Sequence, residues 1–164
     1  MRRFFFAVFV IMICAANAEA ASIEEATFAY DRGDYTRAAR LFRPLAEQGS
    51  APAQLNLGKM HARGQGVRQD YQAALKWFHK AAEQGDVSAQ NNLGLMYERG
   101  RGARQNFVLA YMWSSIAAAA MSDDEGKAAM KRRDHVASKM TAAQIEKAQE
   151  MARRCQDTQF KQCD

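Results

Sequence analysis

Ala53, Leu57, Met60 and His61 recur at the spacing of one helical face, and Pro52 suits the first turn of that helix. After a glycine-rich turn, Tyr71, Ala74, Leu75, Trp77, Phe78 and Ala81-Ala82 make a second apolar stripe. Asp70 stands before that stripe as an N-cap, and Gly85 follows it as a C-terminal residue with positive φ. The pattern predicts two antiparallel helices. One such hairpin cannot bury its apolar face alone, so neighbours must stack.

Shifting the chain by about 36 residues shows that they do repeat. Gly49 falls on Gly85, Ala53-Gln54 on Ala89-Gln90, and Asn56-Leu57-Gly58 on Asn92-Leu93-Gly94. Met60 meets Met96, Gly64-x-Gly66 meets Gly100-x-Gly102, Gln69 meets Gln105, Ala74 meets Ala110, and Trp77 meets Trp113. About half of the aligned positions are identical, far more than shared composition gives. The same shift carries Asp34-Tyr35, Ala38, Phe42 and Ala46-Glu47-Gln48-Gly49 onto Asp70-Tyr71, Ala74, Phe78 and Ala82-Glu83-Gln84-Gly85. Gly58 and Gly94 are expected where a neighbouring helix approaches closely, and the two tryptophans are expected in the core.

The two ends read differently. Arg2-Arg3, the apolar run Phe4–Ala16 and the small residues of Ala16-Asn17-Ala18 and Ala18-Glu19-Ala20 form a secretory signal pattern. That run is shorter than the roughly 20 residues a spanning helix needs, so no membrane span remains after cleavage behind Ala18 or Ala20. Cys14 is preceded by Ile13 rather than a small residue, which argues against lipidation. At the other end, Asp123-Asp124-Glu125 favours a helix start, with the helix continuing to about Lys139. Thr141-Ala142-Ala143-Gln144 has capping-box form and opens a last helix through Met151 and Arg154. Lys131-Arg132-Arg133-Asp134 supplies charge for the polar outer face that ends a repeat array.

These motifs resemble the Sel1-like repeat family, relatives of the tetratricopeptide repeat. The pattern runs Ala53-x3-Leu57-Gly58-x2-His61-x2-Gly64-x-Gly66-Val67-x2-Asp70-x3-Ala74-x2-Trp77-x3-Ala81-Ala82-x2-Gly85, and again from Ala89 to Ala117-Ala118. The second copy departs at Ala103 and Asn106, and Tyr30-x2-Gly33-Asp34-Tyr35-x2-Ala38 looks like a shorter tetratricopeptide hairpin. The expected fold is all-α: an α/α solenoid of antiparallel helix hairpins with a C-terminal helical cap. Its divisions are a signal at 1–20, repeats over 21–122 (hairpins 22–49, 50–85 and 86–122), capping helices at 123–155 and a tail at 156–164.

Composition and charge narrow the function only a little. The 164 residues carry a formal charge of +5 and a pI near 9.3, compatible with an acidic partner or an anionic polymer. Export makes the compartment periplasmic or extracellular and removes nucleic acid as a partner. It leaves Cys155 and Cys163, which most simply form one disulfide there. Neither has further Cys or His neighbours for zinc. The Gly-x-Gly turns follow a helix, not a strand, so they are not dinucleotide loops. His61 holds the place of Tyr97 and reads as a packed or partly exposed ring. No catalytic residue, metal or cofactor is implied. Some exported relatives have been proposed to act on β-lactams, but no Ser-x-x-Lys pair stands here.

Two surfaces are candidates for recognition. The resemblance implies partner binding along a concave face, where Leu55, Asn56, Lys59, Asn91, Asn92 and Leu95 are expected. Along the loop edge, Arg63, Arg68, Arg99, Arg101 and Arg104 are expected to form a basic ridge. The expected activity is that of a non-catalytic adaptor for a protein or peptide in the cell envelope. An envelope hydrolase and a binder of an anionic envelope polymer are the alternatives.

Overall fold

Several helix starts in this chain are set by side chains that accept the first free backbone N–H groups. The helix Ala51–Arg63 instead opens on Ser50 without such a bond and with a proline in its first turn. The computed structural model describes residues 22–120 and 124–163; the signal at 1–20, Cys14 and Asp123 lie outside the described residues. Those residues form eight helices and no strand. In order they are α1 (22–31), α2 (Tyr35–Glu47), α3 (Ala51–Arg63), α4 (Tyr71–Ala82), α5 (Val87–Arg99), α6 (Phe107–Ala120), α7 (Asp124–Ala137) and α8 (Ala142–Asp157). Asp34 accepts from Arg37 N at 3.1 Å, Asp70 from Gln72 N and Ala73 N at 2.9 and 3.0 Å, and Asp86 from Ala89 N at 2.7 Å. Thr141 and Gln144 close the full capping box on α8. α7 stops at Ala137, short of Lys139, where the Ser138 hydroxyl bonds the His135 carbonyl at 2.7 Å.

Helices α2 to α7 pack chiefly on their neighbours in sequence, so the array grows one hairpin at a time, while α8 folds back onto α6. Two contacts fix how closely. Within a hairpin, a Cβ on Gly58 would stand 2.7 Å from the Phe78 ring, and one on Gly94 would stand 2.5 Å from Ser114 Oγ. Between hairpins, the second glycine of each loop lies against the backbone that opens an earlier helix. A Cβ on Gly66 would fall 2.1 Å from Tyr35 O, and one on Gly102 would fall 2.2 Å from Tyr71 O. Both also have positive φ, +67° and +78°, so glycine is needed twice over.

Buried glutamines stitch the same junctions. Gln54 Nε2 donates to Ala46 O at 3.0 Å, and its repeat equivalent Gln90 Nε2 donates to Ala82 O at 3.4 Å. Each adds a side-chain donor to a carbonyl in the last turn of the preceding helix that already accepts from a backbone N–H, Gly49 N on Ala46 O and Gly85 N on Ala82 O. Gln84 Nε2 adds bonds to Gln54 Oε1 at 2.8 Å and Gly49 O at 2.9 Å.

The core lies in two main clusters along the array. Phe42, Leu57 and Met60 anchor the first, while Phe78, Leu93, Met112, Trp113 and Val136 anchor the second. The expected stripe on α4 is narrower than the sequence suggests. Ala74, Phe78, Ala81 and Ala82 are buried, but Tyr71, Leu75 and Trp77 are only half-buried. Trp113 is fully buried, whereas Trp77 lies at the margin of the first cluster with Lys80 Nζ 4.7 Å from its ring centroid. The expectation that both tryptophans are core therefore holds for Trp113 alone.

At the C-terminal end, Arg132 does not face outward as expected. Its side chain is 16% exposed, ion-paired with Glu98 at 3.4 Å and hydrogen-bonded to the Asn91 carbonyl and side chain, fastening α7 onto α5. Beyond α8, Gln159 and Phe160 take positive φ, which turns the chain back. The Cys155–Cys163 disulfide holds that turn, and Phe160 approaches Gly85 at the end of the second hairpin.

Two stability measurements test this packing. Gly66→Ala is expected to cost more than about 3 kcal/mol in urea unfolding, against about 1 kcal/mol for Gly33→Ala, where φ is equally positive but the space is open. Trp113→Ala is expected to cost about 3–5 kcal/mol and Trp77→Ala at most about half as much; equal losses would contradict the unequal burial.

Candidate functional site

The first-position helices α3, α5 and α7 bound a groove of about 360 Å³. Lys59 and Arg63 reach it from α3, Ser88, Asn91 and Asn92 from α5, and Asp124 and Ala128 from α7. Four of the residues expected to recognise a partner, Lys59, Arg63, Asn91 and Asn92, therefore meet at one place. Asn56 and Asn92 each donate back to their own helix, to Pro52 O at 3.0 Å and Ser88 O at 2.7 Å. Asn91 is engaged by Arg132. Leu55 is half-buried against the second core cluster, and Leu95 is half-buried on α5. Burial, together with the nearby Arg99, pushes the Arg132 pKa below its ordinary value; Glu98 opposes that shift.

The five loop-edge arginines do not form one ridge. Arg63 Nη1 donates to Tyr30 OH at 3.2 Å, and Arg101 lies 5.2 Å from the Tyr71 ring centroid as a cation–π pair. Arg99 belongs electrostatically to the Arg132 corner. Arg68 and Arg104 share a cavity, a cleft of about 1170 Å³ between the 64–70 and 100–106 loops. Two residues that the sequence did not mark for binding join them there, Arg43 from α2 and His61 from α3. Asp70, Tyr71 and the backbone of Gly100 and Gly102 complete the wall.

At that cleft the repeat departs from its own pattern. At the second junction His79 bonds Tyr97 OH at 2.9 Å, and its ring lies 6.0 Å edge-on to Trp113. The repeat-equivalent residues at the first junction are Arg43, His61 and Trp77. Arg43 is exposed, and the buried Nδ1 of His61 has no hydrogen-bond partner among the described residues. Burial and then the Arg43 charge lower the His61 pKa; Asp70 and a hydrogen bond with the Arg68 backbone oppose that shift. Asp70 is held low in its own right by the N–H groups it caps.

Matching against family models places Sel1 repeats at residues 29–50, 51–86 and 87–120, more than half the chain. The protein belongs to the Sel1 repeat family. Sel1 repeats are generally protein-interaction modules. Among solved structures, the chain resembles a protective antigen present in uropathogenic Escherichia coli strains that displays an SLR fold, with TM-score 0.77 and 28% identity. The likeness covers 87% of this chain and 31% of that one. A Sel1 repeat protein from Oxalobacter formigenes matches with TM-score 0.64 and 28% identity over 78% of this chain and 54% of its own. The chain thus spans about a third of one relative and about half of the other. No curated protein matches it. Among the described residues of this Sel1 protein, no helix is long and apolar enough to cross a membrane.

A column-by-column reading of the Sel1 repeat carries the signal for the missed residues. Position 43 answers to His79 and position 61 to Tyr97, so both are departures within one column pair. The pKa shift gives a pH signature. Between the lowered folded value of His61 and the ordinary value of about 6.5, the unfolded chain binds the extra proton. This contribution to stability is present above that ordinary value and is lost as pH falls through the folded one. The fall in Tm from pH 7.5 to 5.5 is expected to be smaller in His61→Gln than in wild type, by thermal melts; equal falls would show that His61 does not carry the coupling.

Proposed function

We propose that this Sel1 protein is an exported, non-catalytic adaptor that holds a protein or peptide partner in the groove between α3, α5 and α7. The groove supports this reading because successive repeats deliver polar side chains to one place that the core does not use. Arg132 makes its α7 wall firm by fastening that helix to Asn91 and Glu98. A preformed groove of this kind loses little ordering entropy on binding.

The envelope location rests on two further observations. The N-terminal sequence has the basic, apolar and small-residue order of a cleaved signal, and the Cys155–Cys163 disulfide is of the kind that persists in oxidising compartments. Export predicts a mature chain beginning at Glu19 or Ala21.

The test is retention of envelope proteins on immobilised mature protein, with Lys59→Glu, Asn92→Arg beside wild type. Both changes lie on the groove at half-buried positions, and the variant's Tm is expected to stay near wild type. A partner retained by wild type is expected to bind the variant about tenfold more weakly or worse, as a like-charge and steric block across a groove implies. Equal retention by the two would overturn the groove reading.

A further inference from the structure

We propose that the cleft walled by Arg43, Arg68, Arg104 and His61 is a second binding site, which takes the carboxylates of an acidic peptide segment. It shares no residue with the α3–α5–α7 groove and goes beyond the adaptor reading, so either site can fail alone.

Charge and geometry carry the assignment. Three arginines line the cleft from three separate parts of the chain: α2, the 64–70 loop and the 100–106 loop. None of the three makes a salt bridge among the described residues, whereas Arg63 and Arg101 are engaged with tyrosines. Planar guanidinium forks match carboxylates in bidentate pairs. The imidazole of His61 adds a buried nitrogen without a partner at the same wall.

The shape favours a peptide over a single small anion. About 1170 Å³ exceeds the usual volume of a small-molecule pocket, and the cleft is an open trough. Val67, Tyr71, Ala103 and the glycine backbone of the 100–102 turn give an extended chain an apolar bed between the charges. Asp70 interrupts the positive field. Its carboxylate is committed to the N-terminus of α4 through Gln72 N and Ala73 N and stays ionised there. A polyphosphate carries charge at every unit and meets that carboxylate. Peptide carboxylates on side-chain stems can straddle it.

The repeat shows what sets this junction apart. The equivalent cleft one repeat along holds about 700 Å³, but Tyr97 and Asn106 stand there in place of His61 and Asp70, and Lys147, Glu150 and Arg154 of α8 line it. Where the next junction has His79 hydrogen-bonded to Tyr97, this one has an exposed Arg43 and a His61 Nδ1 without a partner among the described residues.

The experiment uses the mature protein and fluorescein-labelled hexaglutamate as probe, read by fluorescence anisotropy at low ionic strength. Hexaglutamine and inorganic polyphosphate serve as competitors. Arg68→Ala, Arg104→Ala is expected to weaken hexaglutamate binding about tenfold or more, since two charge-assisted bonds are removed. Arg63→Ala, Arg101→Ala removes the same net charge from the same edge and is expected to change affinity less than about twofold. Both pairs lie on exposed loops or a helix end, and matching melts check that they fold. In wild type, hexaglutamate is expected to shift the His61 ring signals by NMR; Lys59→Glu, Asn92→Arg leaves the peptide affinity intact. Equal loss in the two arginine pairs would reduce the site to diffuse charge and overturn the proposal. Polyphosphate binding without hexaglutamate binding would overturn the assignment to peptide carboxylates.

Discussion

The close approach of Gly66 to the Tyr35 carbonyl, repeated by Gly102 at Tyr71, sets the spacing on which the other inter-repeat contacts depend. A loop can rest directly on the start of an earlier helix only when it has no side chain at that point. Once it does, Gln54 and Gln90 come within reach of the helix end behind them and add side-chain bonds to the carbonyls of Ala46 and Ala82, tying one hairpin to the next. The same seating places the 64–70 and 100–106 loops on either side of one cleft. The stacking distance and the binding surface thus share one origin.

Repetition makes departures from it informative. His79, Tyr97 and Trp113 form a sealed contact, with a donor and an acceptor matched and the ring buried. Arg43, His61 and Trp77 hold the equivalent positions, where Arg43 is exposed and His61 Nδ1 has no hydrogen-bond partner among the described residues. The consequence runs from packing to electrostatics. Trp77 stays at the surface, the arginine turns out, and the histidine nitrogen is desolvated without a partner.

The far end closes the array by different means. Arg132 gives up an outward position to bind Asn91 and Glu98, joining α7 to α5 through a half-buried ion pair backed by hydrogen bonds. Such a pair adds geometric definition more surely than net stability, because burial costs the charges part of what their attraction returns. The disulfide turn then lays Phe160 toward Gly85, so the tail caps the second hairpin's end as well as α8.

The sequence by itself determined the all-helical repeat, because the 36-residue period, the aspartate caps and the glycine turns are local features readable from spacing. It also marked the Cys155–Cys163 pair and the close helix approaches at Gly58 and Gly94. It misjudged Trp77 and Arg132, and it spread five arginines along a ridge that the fold divides among Tyr30, Tyr71, the Arg132 corner and the cleft. Those outcomes depend on which side chain of another repeat lies opposite, and helical spacing gives a face but not its neighbour. Only the tertiary structure brought Arg43, Arg68, Arg104 and His61 to one wall, because residues up to 61 positions apart in the chain become adjacent when loops stack.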